Sequence, residues 1–304
     1  MNTLTPSSTK PPTLPSTIQG WVAWADDEFT SAELFYGHGT DNVIDESVFL
    51  ISHALQTDFE LTGFDPEETL SEENNKRIHE LLLKRVSTKK PAAYLISEAW
   101  FCGLPFYVDE RVLVPRSPIA ELIEDEFQPW IAREKINSIL EIGTGSGCIA
   151  LSCAYYLDNT RVTAVDIDDG ALEVANKNLQ RMKLQDRVSL IKSDVFDNLP
   201  DEKYDIIISN PPYVSQQEYD ALPQEYKHEP VIGLTSGMDG LNCVRKILSQ
   251  ASQFLNPHGV LIVEVGNSQK ALQSAFPHIP FMWLEFERGG EGVFLLEQEQ
   301  LLQL

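Results

Sequence analysis

The spacing of apolar residues changes along the chain and divides it into a helical part and an α/β part. Between residues 18 and 90, apolar residues recur every three or four positions, as Ile44, Val48 and Ile51 do. This spacing places them on one face of a helix and predicts a helical region. From residue 98 onward, apolar residues instead form short continuous runs, which are typical of buried strands.

The short apolar runs alternate with helical periods as far as residue 275, and two further runs close the chain. This alternation predicts an α/β fold with a mainly parallel, doubly wound sheet. The stretch 213–240 has no clear period and is predicted to be an irregular loop, which at this length is often functional. The predicted strands cover residues 100–106, as a pair around Gly103, and residues 111–114, 139–142, 161–166, 187–192, 204–209, 259–265, 281–286 and 292–296.

Length and composition change the picture only by setting its limits. A chain of 304 residues corresponds to about two domains. No apolar run approaches the roughly 18 residues of a membrane helix, and no signal-peptide core follows Met1. The four cysteines lack CxxC pairs and histidine partners at metal-ligand spacing. They predict reduced thiols, a cytoplasmic location and no metal site.

The charge of the chain bears on its partners. The net charge of -23 and the pI of about 4.5 argue against direct nucleic-acid recognition, because phosphate contacts need clustered Lys and Arg. A basic protein partner would instead be attracted to such a surface. The alternative is that the acidity only keeps the protein soluble.

The composition also predicts the domain boundaries. Residues 1–17 are rich in Ser, Thr and Pro and are predicted to be a disordered tail. Residues 18–96 are predicted to form a helical domain, to which we assign substrate recognition, with simple structural packing as the alternative. Residues 97–116 are predicted to be a β linker, and residues 117–304 the catalytic α/β domain.

One tetrapeptide carries distinctive chemistry. Asn210-Pro211-Pro212-Tyr213 follows the predicted strand 204–209, and open α/β sheets bind ligands at the carboxyl ends of their strands. Pro212 keeps Pro211 extended, so the Asn210 side chain and the Pro211 carbonyl can face one point as two acceptors. Such a pair would hold a planar NH₂ group, and Tyr213 offers it a flat surface. The alternative is a structural Pro-Pro turn.

The tetrapeptide resembles the Asn-Pro-Pro-Tyr motif of methyltransferases that modify planar amino groups with S-adenosylmethionine (SAM). Residues 111–121 are similar to the segment that leads into the catalytic domain of the HemK group of protein-glutamine methyltransferases. Where the release-factor branch usually has Ile-Pro-Arg-Pro-Asp-Thr-Glu, this chain has Val-Pro-Arg-Ser-Pro-Ile-Ala-Glu. That form resembles the PrmB-type branch, which modifies the third protein of the large ribosomal subunit. The resemblance covers about residues 85–298.

A glycine-rich turn supports the resemblance. Glu141 is followed by Gly143, Thr144, Gly145 and Gly147, and glycines allow a tight turn with a ligand close to the backbone. The Gly-x-Gly-x-Gly spacing differs from that of dinucleotide sites, and no Lys-Ser/Thr pair is present to grip a phosphate. SAM has no phosphate. We therefore favour a SAM site over a purely structural strand–helix turn.

Further cofactor residues follow from strand ends and from the resemblance. Asp166 ends a predicted strand, where an acid can accept hydrogen bonds from both ribose hydroxyls. The resemblance implies that Asp194 and Val195 flank the adenine and that Asn210 also borders the cofactor. The alternative for Asp194 is an ordinary turn residue.

The resemblance implies a seven-stranded Rossmann-like domain that transfers a methyl group from SAM, leaving S-adenosylhomocysteine. The implied acceptor is a glutamine side-chain amide in the basic third protein of the large ribosomal subunit, with Asn210, Pro211 and Tyr213 as catalytic residues and Pro212 beside them. Three alternatives remain at this point: a release-factor glutamine, DNA adenine, and a SAM-binding module without activity.

Overall fold

The computed structural model describes residues 14–303, which form two compact units. The first comprises residues 14–36 and 40–96, and the second comprises residues 37–39 and 97–303. Most of the predicted tail, residues 1–13, lies outside the described residues. Thr17, at the end of that prediction, already caps the first helix by accepting a hydrogen bond from the Gly20 amide.

The first unit is helical, as its apolar spacing predicts. Large apolar side chains, among them Trp21, Phe29, Leu50 and Leu82, are fully buried between its helices. Apolar burial of this kind is the main source of stability for helices that are too short to persist alone. The helices are α1 (Ile18–Ser31), α2 (Val43–Leu55), α3 (Glu72–Thr88) and α4 (Ala92–Ile96).

One charged pair lies inside this helical core. Arg85 of α3 and Glu46 of α2 are 0% and 1% exposed at their side chains, and Arg85 Nε donates to Glu46 Oε1 at 2.7 Å. Arg85 also donates to the Phe35 carbonyl at 3.0 Å. Removal of either side chain would leave the other charge buried without this ion pair, which is costly in an apolar surrounding.

The second unit contains a short hairpin, a large sheet and the helices that cover it. Its hairpin, β1 (Ala99–Phe101) and β2 (Leu104–Phe106), is antiparallel and turns at Cys102 and Gly103, as predicted. The remaining strands are β3 (Ser138–Ile142), β4 (Arg161–Asp166), β5 (Val188–Lys192), β6 (Tyr204–Ser209), β7 (Leu255–Glu264), β8 (Met282–Trp283) and β9 (Val293–Glu297). The helices are α5 (Ile119–Glu124), α6 (Cys148–Tyr156), α7 (Asp169–Met182), α8 (Gln216–Ala221), α9 (Val231–Leu234), α10 (Asn242–Phe254), α11 (Gln269–Ala275) and α12 (Gln298–Leu301), with 3₁₀ turns at Arg133–Lys135, Gln224–His228 and Gly266–Ser268.

The seven strands β3 to β9 form one sheet in the order β5-β4-β3-β6-β7-β9-β8. Neighbours from β5 to β7 are parallel, and β9 is antiparallel to both β7 and β8. The chain therefore winds outward from β3 in both directions, and the crevice beyond β3 and β6 is the switch point where such sheets bind ligands. The predicted fold class, a doubly wound seven-stranded sheet together with a smaller helical unit, is confirmed.

Two local predictions are wrong. Residues 111–114 form no strand, because the Val114 amide donates to the Glu229 carboxylate at 3.0 Å and the Val112 amide closes a turn onto the Asp109 carbonyl. The stretch 213–240 is not irregular throughout, since it contains α8, a 3₁₀ turn and α9. These helices are only four to six residues long, which is too short to give a readable period.

Candidate active site

The register of the sheet brings the predicted site residues to one edge. Ile142 pairs with Val165 on one side and with Ser209 on the other. The chain segments that continue from these three residues therefore leave the sheet at the same level. They begin with the glycine loop, with Asp166 and with Asn210, in that order.

These segments line one cavity of about 490 Å³, a volume typical of small-molecule sites. Eleven of the twelve predicted site residues line it: Glu141, Gly143, Thr144, Gly145, Asp166, Asp194, Val195, Asn210, Pro211, Pro212 and Tyr213. Gly147 does not. It is the N-cap of α6, and a Cβ there would lie 3.2 Å from Leu151 Cδ1.

The glycine loop folds back onto the neighbouring strand. The Gly143 and Thr144 amides both donate to the Val165 carbonyl at 2.9 Å. Gly143 and Gly145 have φ values of +74° and +54°, and a Cβ built on either would meet nothing within 4 Å. Both positions therefore use the left-handed conformation that favours glycine. Because Gly143 and Gly145 line the cavity, their missing side chains also leave room for a ligand against the backbone.

Glu141 holds the loop from below. Its Oε2 accepts hydrogen bonds from Thr144 Oγ1 at 2.5 Å and from the Ala150 amide at 3.0 Å. Burial raises the pKa of Glu141 to about 8, against the lowering effect of these two hydrogen bonds. The residue is therefore a protonated acid at neutral pH in the ligand-free site.

Asp166 is tied to the loop as well. Its Oδ2 accepts from the Gly145 amide at 2.9 Å, and its Oδ1 accepts from the Asp168 amide at 3.0 Å. Burial raises its pKa, although these amides favour the charged form. Each carboxylate oxygen keeps a further lone pair that could accept a hydrogen bond from a hydroxyl group of a ligand. Asp168 caps α7 by accepting hydrogen bonds from the Gly170 and Ala171 amides.

Asp194 and Val195 form the wall of the cavity beyond β5. Val195 has φ +55°, an uncommon conformation for a β-branched residue. Ser193 Oγ helps to hold this turn by donating to the Val195 carbonyl at 3.0 Å. Asp194 Oδ2 pairs with Lys246 Nζ at 2.8 Å, so its carboxylate already has a partner in the absence of ligand.

The side chain of Asn210 is available for hydrogen bonding in the cavity. Within residues 14–303 no hydrogen bond is made by the Asn210 side chain, although it lines the cavity directly beyond β6. Pro211 is buried and Pro212 is half-buried beside it. The Asn210 amide is therefore available to a ligand in the cavity, as the sequence predicts.

Tyr213 is connected to residues that sequence reasoning did not assign. Its hydroxyl donates to Glu264 Oε1 at 3.1 Å, and Ser117 Oγ donates to Glu264 Oε2 at 2.5 Å. All three residues line the cavity. The acid at the end of β7 is the only local sign that could have singled out Glu264, since its partners are distant in the chain.

Arg116 is a second cavity residue that sequence reasoning did not assign to the site. Its Nη1 and Nη2 donate to the two oxygens of Glu229 at 2.6 and 2.7 Å, in a two-pronged ion pair. Burial alone would raise the pKa of Glu229, but the Arg116 charge and the hydrogen bonds from His38 and Arg116 together lower it to about 2. This pair fixes the segment before α5 to the segment before α9 across the cavity.

The residues of the cavity fit SAM. The backbone of Gly143 and Gly145 is open to a ligand, and Asp166 can accept hydrogen bonds from hydroxyl groups. The acidic side chains of Asp166, Asp168 and Asp194 line the same space, which suits a molecule with a positively charged sulfonium. The glycine loop lacks the Lys-Ser/Thr pair that grips a phosphate. SAM has no phosphate and does not need that pair.

Comparison with known proteins identifies the family. The family model described as "Methyltransferase small domain" matches residues 127–226. The ribosomal protein uL3 glutamine methyltransferase of Francisella tularensis subsp. tularensis is 44% identical over 288 residues, which cover 94% of this chain and 92% of the relative. This chain belongs to the family of ribosomal protein uL3 glutamine methyltransferases. The predicted family is thereby confirmed, and with it the prediction of a SAM-dependent methyltransferase.

Other members and neighbours of this methyltransferase agree. The ribosomal protein uL3 glutamine methyltransferase of Neisseria gonorrhoeae is also 44% identical over 288 residues, covering 94% of this chain and 96% of the relative. The hMettl16 catalytic domain, solved in complex with MAT2A 3′UTR hairpin 6, superposes with a TM-score of 0.51 at 18% identity. It covers 82% of this chain and 91% of its own. That likeness shows the methyltransferase fold alone. Among the helices within residues 14–303, none is long and apolar enough to cross a membrane.

Proposed function

We propose that this methyltransferase transfers the methyl group of SAM to the side-chain amide nitrogen of a glutamine in the large-subunit ribosomal protein uL3. The observation that carries the proposal is the Asn210 amide, which lines the cavity without a hydrogen-bond partner among the described residues. The family relation to two uL3 glutamine methyltransferases supports the choice of acceptor.

Asn210 and Pro211 would orient the acceptor. The Asn210 side-chain oxygen and the Pro211 carbonyl each accept one hydrogen of the glutamine NH₂ group. Two acceptors fix both the position and the plane of the nitrogen, and the ring of Tyr213 lies beside them as a flat surface. Orientation of this kind replaces a chance encounter by a fixed approach, which is a large part of the rate enhancement in transfer reactions.

Electrostatics would provide the rest. An amide nitrogen is a poor nucleophile because resonance withdraws its lone pair, and positive charge develops on it as it is methylated, until it releases one of its two protons to water. The two acceptor oxygens stabilise that charge because they already point at the nitrogen. When bound, SAM supplies an activated methyl group on a sulfonium. Gly143, Gly145 and Asp166 would hold it on the other side of the cavity.

The family relation favours uL3 over a release factor as the substrate. The net charge of -23 suits a basic ribosomal protein and opposes direct binding of nucleic acid. We therefore favour glutamine methylation over DNA adenine methylation. We also propose that the protein acts in the cytoplasm, on free uL3 or on an assembling particle.

The proposal is tested by Asn210→Ala. Loss of one preorganised polar group typically lowers kcat by about 100- to 1,000-fold. We therefore expect uL3 methylation, followed by mass spectrometry of the modified peptide, to fall at least this far while SAM still binds in calorimetry. Asn256→Ala is the matched control, because Asn256 bonds to Asp205 at the opposite edge of the sheet. Normal turnover by Asn210→Ala would refute the assignment, and methylation of a release factor in place of uL3 would refute the substrate.

A further inference from the structure

We propose that Glu264 is a positioning residue that holds the ring of Tyr213 in the plane required by the methyl-acceptor amide. Glu264 acts through hydrogen bonds and does not itself touch the reacting atoms. The inference rests on the proposed function, because it takes Tyr213 as the surface beside the glutamine amide.

The sheet places Glu264 next to the tetrapeptide. Val263 of β7 pairs with Ser209 of β6, so Glu264 and Asn210 end neighbouring strands at the same level. Glu264 is only 5% exposed, yet it lines the cavity. A buried acid in such a position needs a reason, since burial of a carboxyl group costs free energy unless its oxygens are bonded.

Both oxygens of Glu264 are used. Oε1 accepts from the Tyr213 hydroxyl at 3.1 Å, and Oε2 accepts from Ser117 Oγ at 2.5 Å. Ser117 Oγ in turn accepts from the Ile119 amide at 3.2 Å, at the start of α5. Tyr213 is thus tied through Glu264 to the first turn of a helix that packs on the sheet.

The backbone of two glycines packs closely against Tyr213. A Cβ on Gly266 would lie 2.7 Å from Tyr213 Cε2, and a Cβ on Gly240 would lie 2.2 Å from the Tyr213 carbonyl oxygen. That carbonyl also accepts from Ser268 Oγ at 2.7 Å. These contacts hold the Tyr213 backbone and pack against the hydroxyl-bearing end of its ring, where the bond to Glu264 adds a polar contact of defined direction.

The constraint matters because methyl transfer to an sp² nitrogen is sensitive to angle. A small misplacement, far from the reacting atoms, can lower a rate by about 100-fold. Without the hydroxyl bond, the far end of Tyr213 would be held only by its packing against Gly266. The ring could then tilt, and the amide would lose its flat support. Binding of SAM does not depend on this, because its proposed contacts lie on the loops after β3 and β4.

The test compares Glu264→Ala with Glu264→Gln. Glutamine can accept from Tyr213 and donate to Ser117, so it keeps both bonds and removes only the charge. Burial raises the pKa of Glu264, because the charged form is less favourable in this surrounding than in water. We expect Glu264→Ala to lower kcat for uL3 methylation by about 100-fold, with unchanged SAM affinity. Glu264→Gln should stay within about threefold of wild type.

Tyr213→Phe removes the same bond from the other side without disturbing Glu264, and it serves if Glu264→Ala does not fold. It should lower kcat without weakening SAM binding, and in the double variant with Glu264→Ala the two losses should not add. Thr160→Val is the control for stability. It removes a buried 2.8 Å bond to the Ile136 carbonyl at the opposite end of β4, and should lower Tm but not kcat.

The results separate this inference from the proposed function. If Glu264→Ala or Tyr213→Phe keeps wild-type kcat, the positioning role is overturned. Equal losses for Glu264→Gln and Glu264→Ala would also overturn it, because charge and not hydrogen bonding would then be required. If Asn210→Ala is inactive in the same assay, the proposed function stands in either case. If Asn210→Ala remains active, the proposed function is refuted, whatever the result for Glu264→Ala.

Discussion

Replacing Glu141 by glutamine should stabilise the protein, and the gain should grow with pH. Glu141 is only 1% exposed, and burial raises its pKa from 4.5 to about 8. Glutamine has the shape of the protonated acid. Its side-chain oxygen can accept from Thr144 Oγ1 and the Ala150 amide as Oε2 does now. The variant therefore keeps the loop contacts and removes only the ionisable group.

The sign and size of the effect follow from the two pKa values. Below about pH 4.5 the carboxyl is protonated in both the folded and the unfolded chain, and its titration makes no difference. Above that pH the unfolded chain ionises while the folded chain keeps its proton, so stability falls by up to about 1.4 kcal/mol per pH unit. Above about pH 8 both forms are ionised and the loss levels off. Between about pH 5 and about pH 8 it amounts to about 3–4 kcal/mol.

Urea unfolding of wild type and Glu141→Gln, followed by circular dichroism without cofactor, measures this difference. Other titrating groups contribute equally to both proteins, so they cancel when the two free energies of unfolding are subtracted. The difference should rise in favour of the variant by about 3–4 kcal/mol from about pH 5 to about pH 8. A difference that stays constant over this range would show that Glu141 is ionised in the folded protein, and the reasoning would be refuted.

The remaining predictions concern the helical unit and the glycine loop. Arg85→Ala should lower the free energy of unfolding by about 3–5 kcal/mol, because the Glu46 carboxylate stays buried without that ion-pair partner. Arg77→Ala, which breaks an exposed ion pair, should cost about 0.5 kcal/mol, and equal losses in urea titration would contradict the argument. Gly143→Ala should weaken SAM binding by at least about tenfold, since its φ is +74° and its Cβ enters the cavity. Gly289→Ala carries similar strain at φ +83° but lies outside the cavity lining, so calorimetry should show unchanged SAM affinity, and an equal loss would contradict the cavity argument.

Much of the cofactor half of the site could be predicted from the sequence. Glu141, Asp166 and Asn210 each stand at or just beyond the end of a short apolar run, and the local pattern is enough to find them. Gly147 shows where this reasoning stops. It belongs to the same motif as Gly143 and Gly145 but caps α6 and stays outside the cavity lining, because three glycines in one turn do not all face the same way.

The cavity wall formed by residues 111–117 could not be predicted in this way. Residues 111–114 look like a strand because they are apolar, yet the Val114 amide finds its partner in a carboxylate and not in a neighbouring strand. Glu229, which accepts that bond, lies 115 positions further along the chain. No local pattern reports such a contact, so the sequence alone does not reveal the ion pair between Arg116 and Glu229.

The sequence by itself therefore determined the element types, the strand ends and the tetrapeptide, because apolar period and turn residues are properties of neighbours along the chain. Only the tertiary structure decided which strand ends meet and which side chains support them. Ser117 and Glu264 are 147 positions apart, and Tyr213 and Glu264 are 51 apart. Their contacts depend on the register between parallel strands, which is set by hydrogen bonds between segments distant in sequence and is not encoded in any one of them.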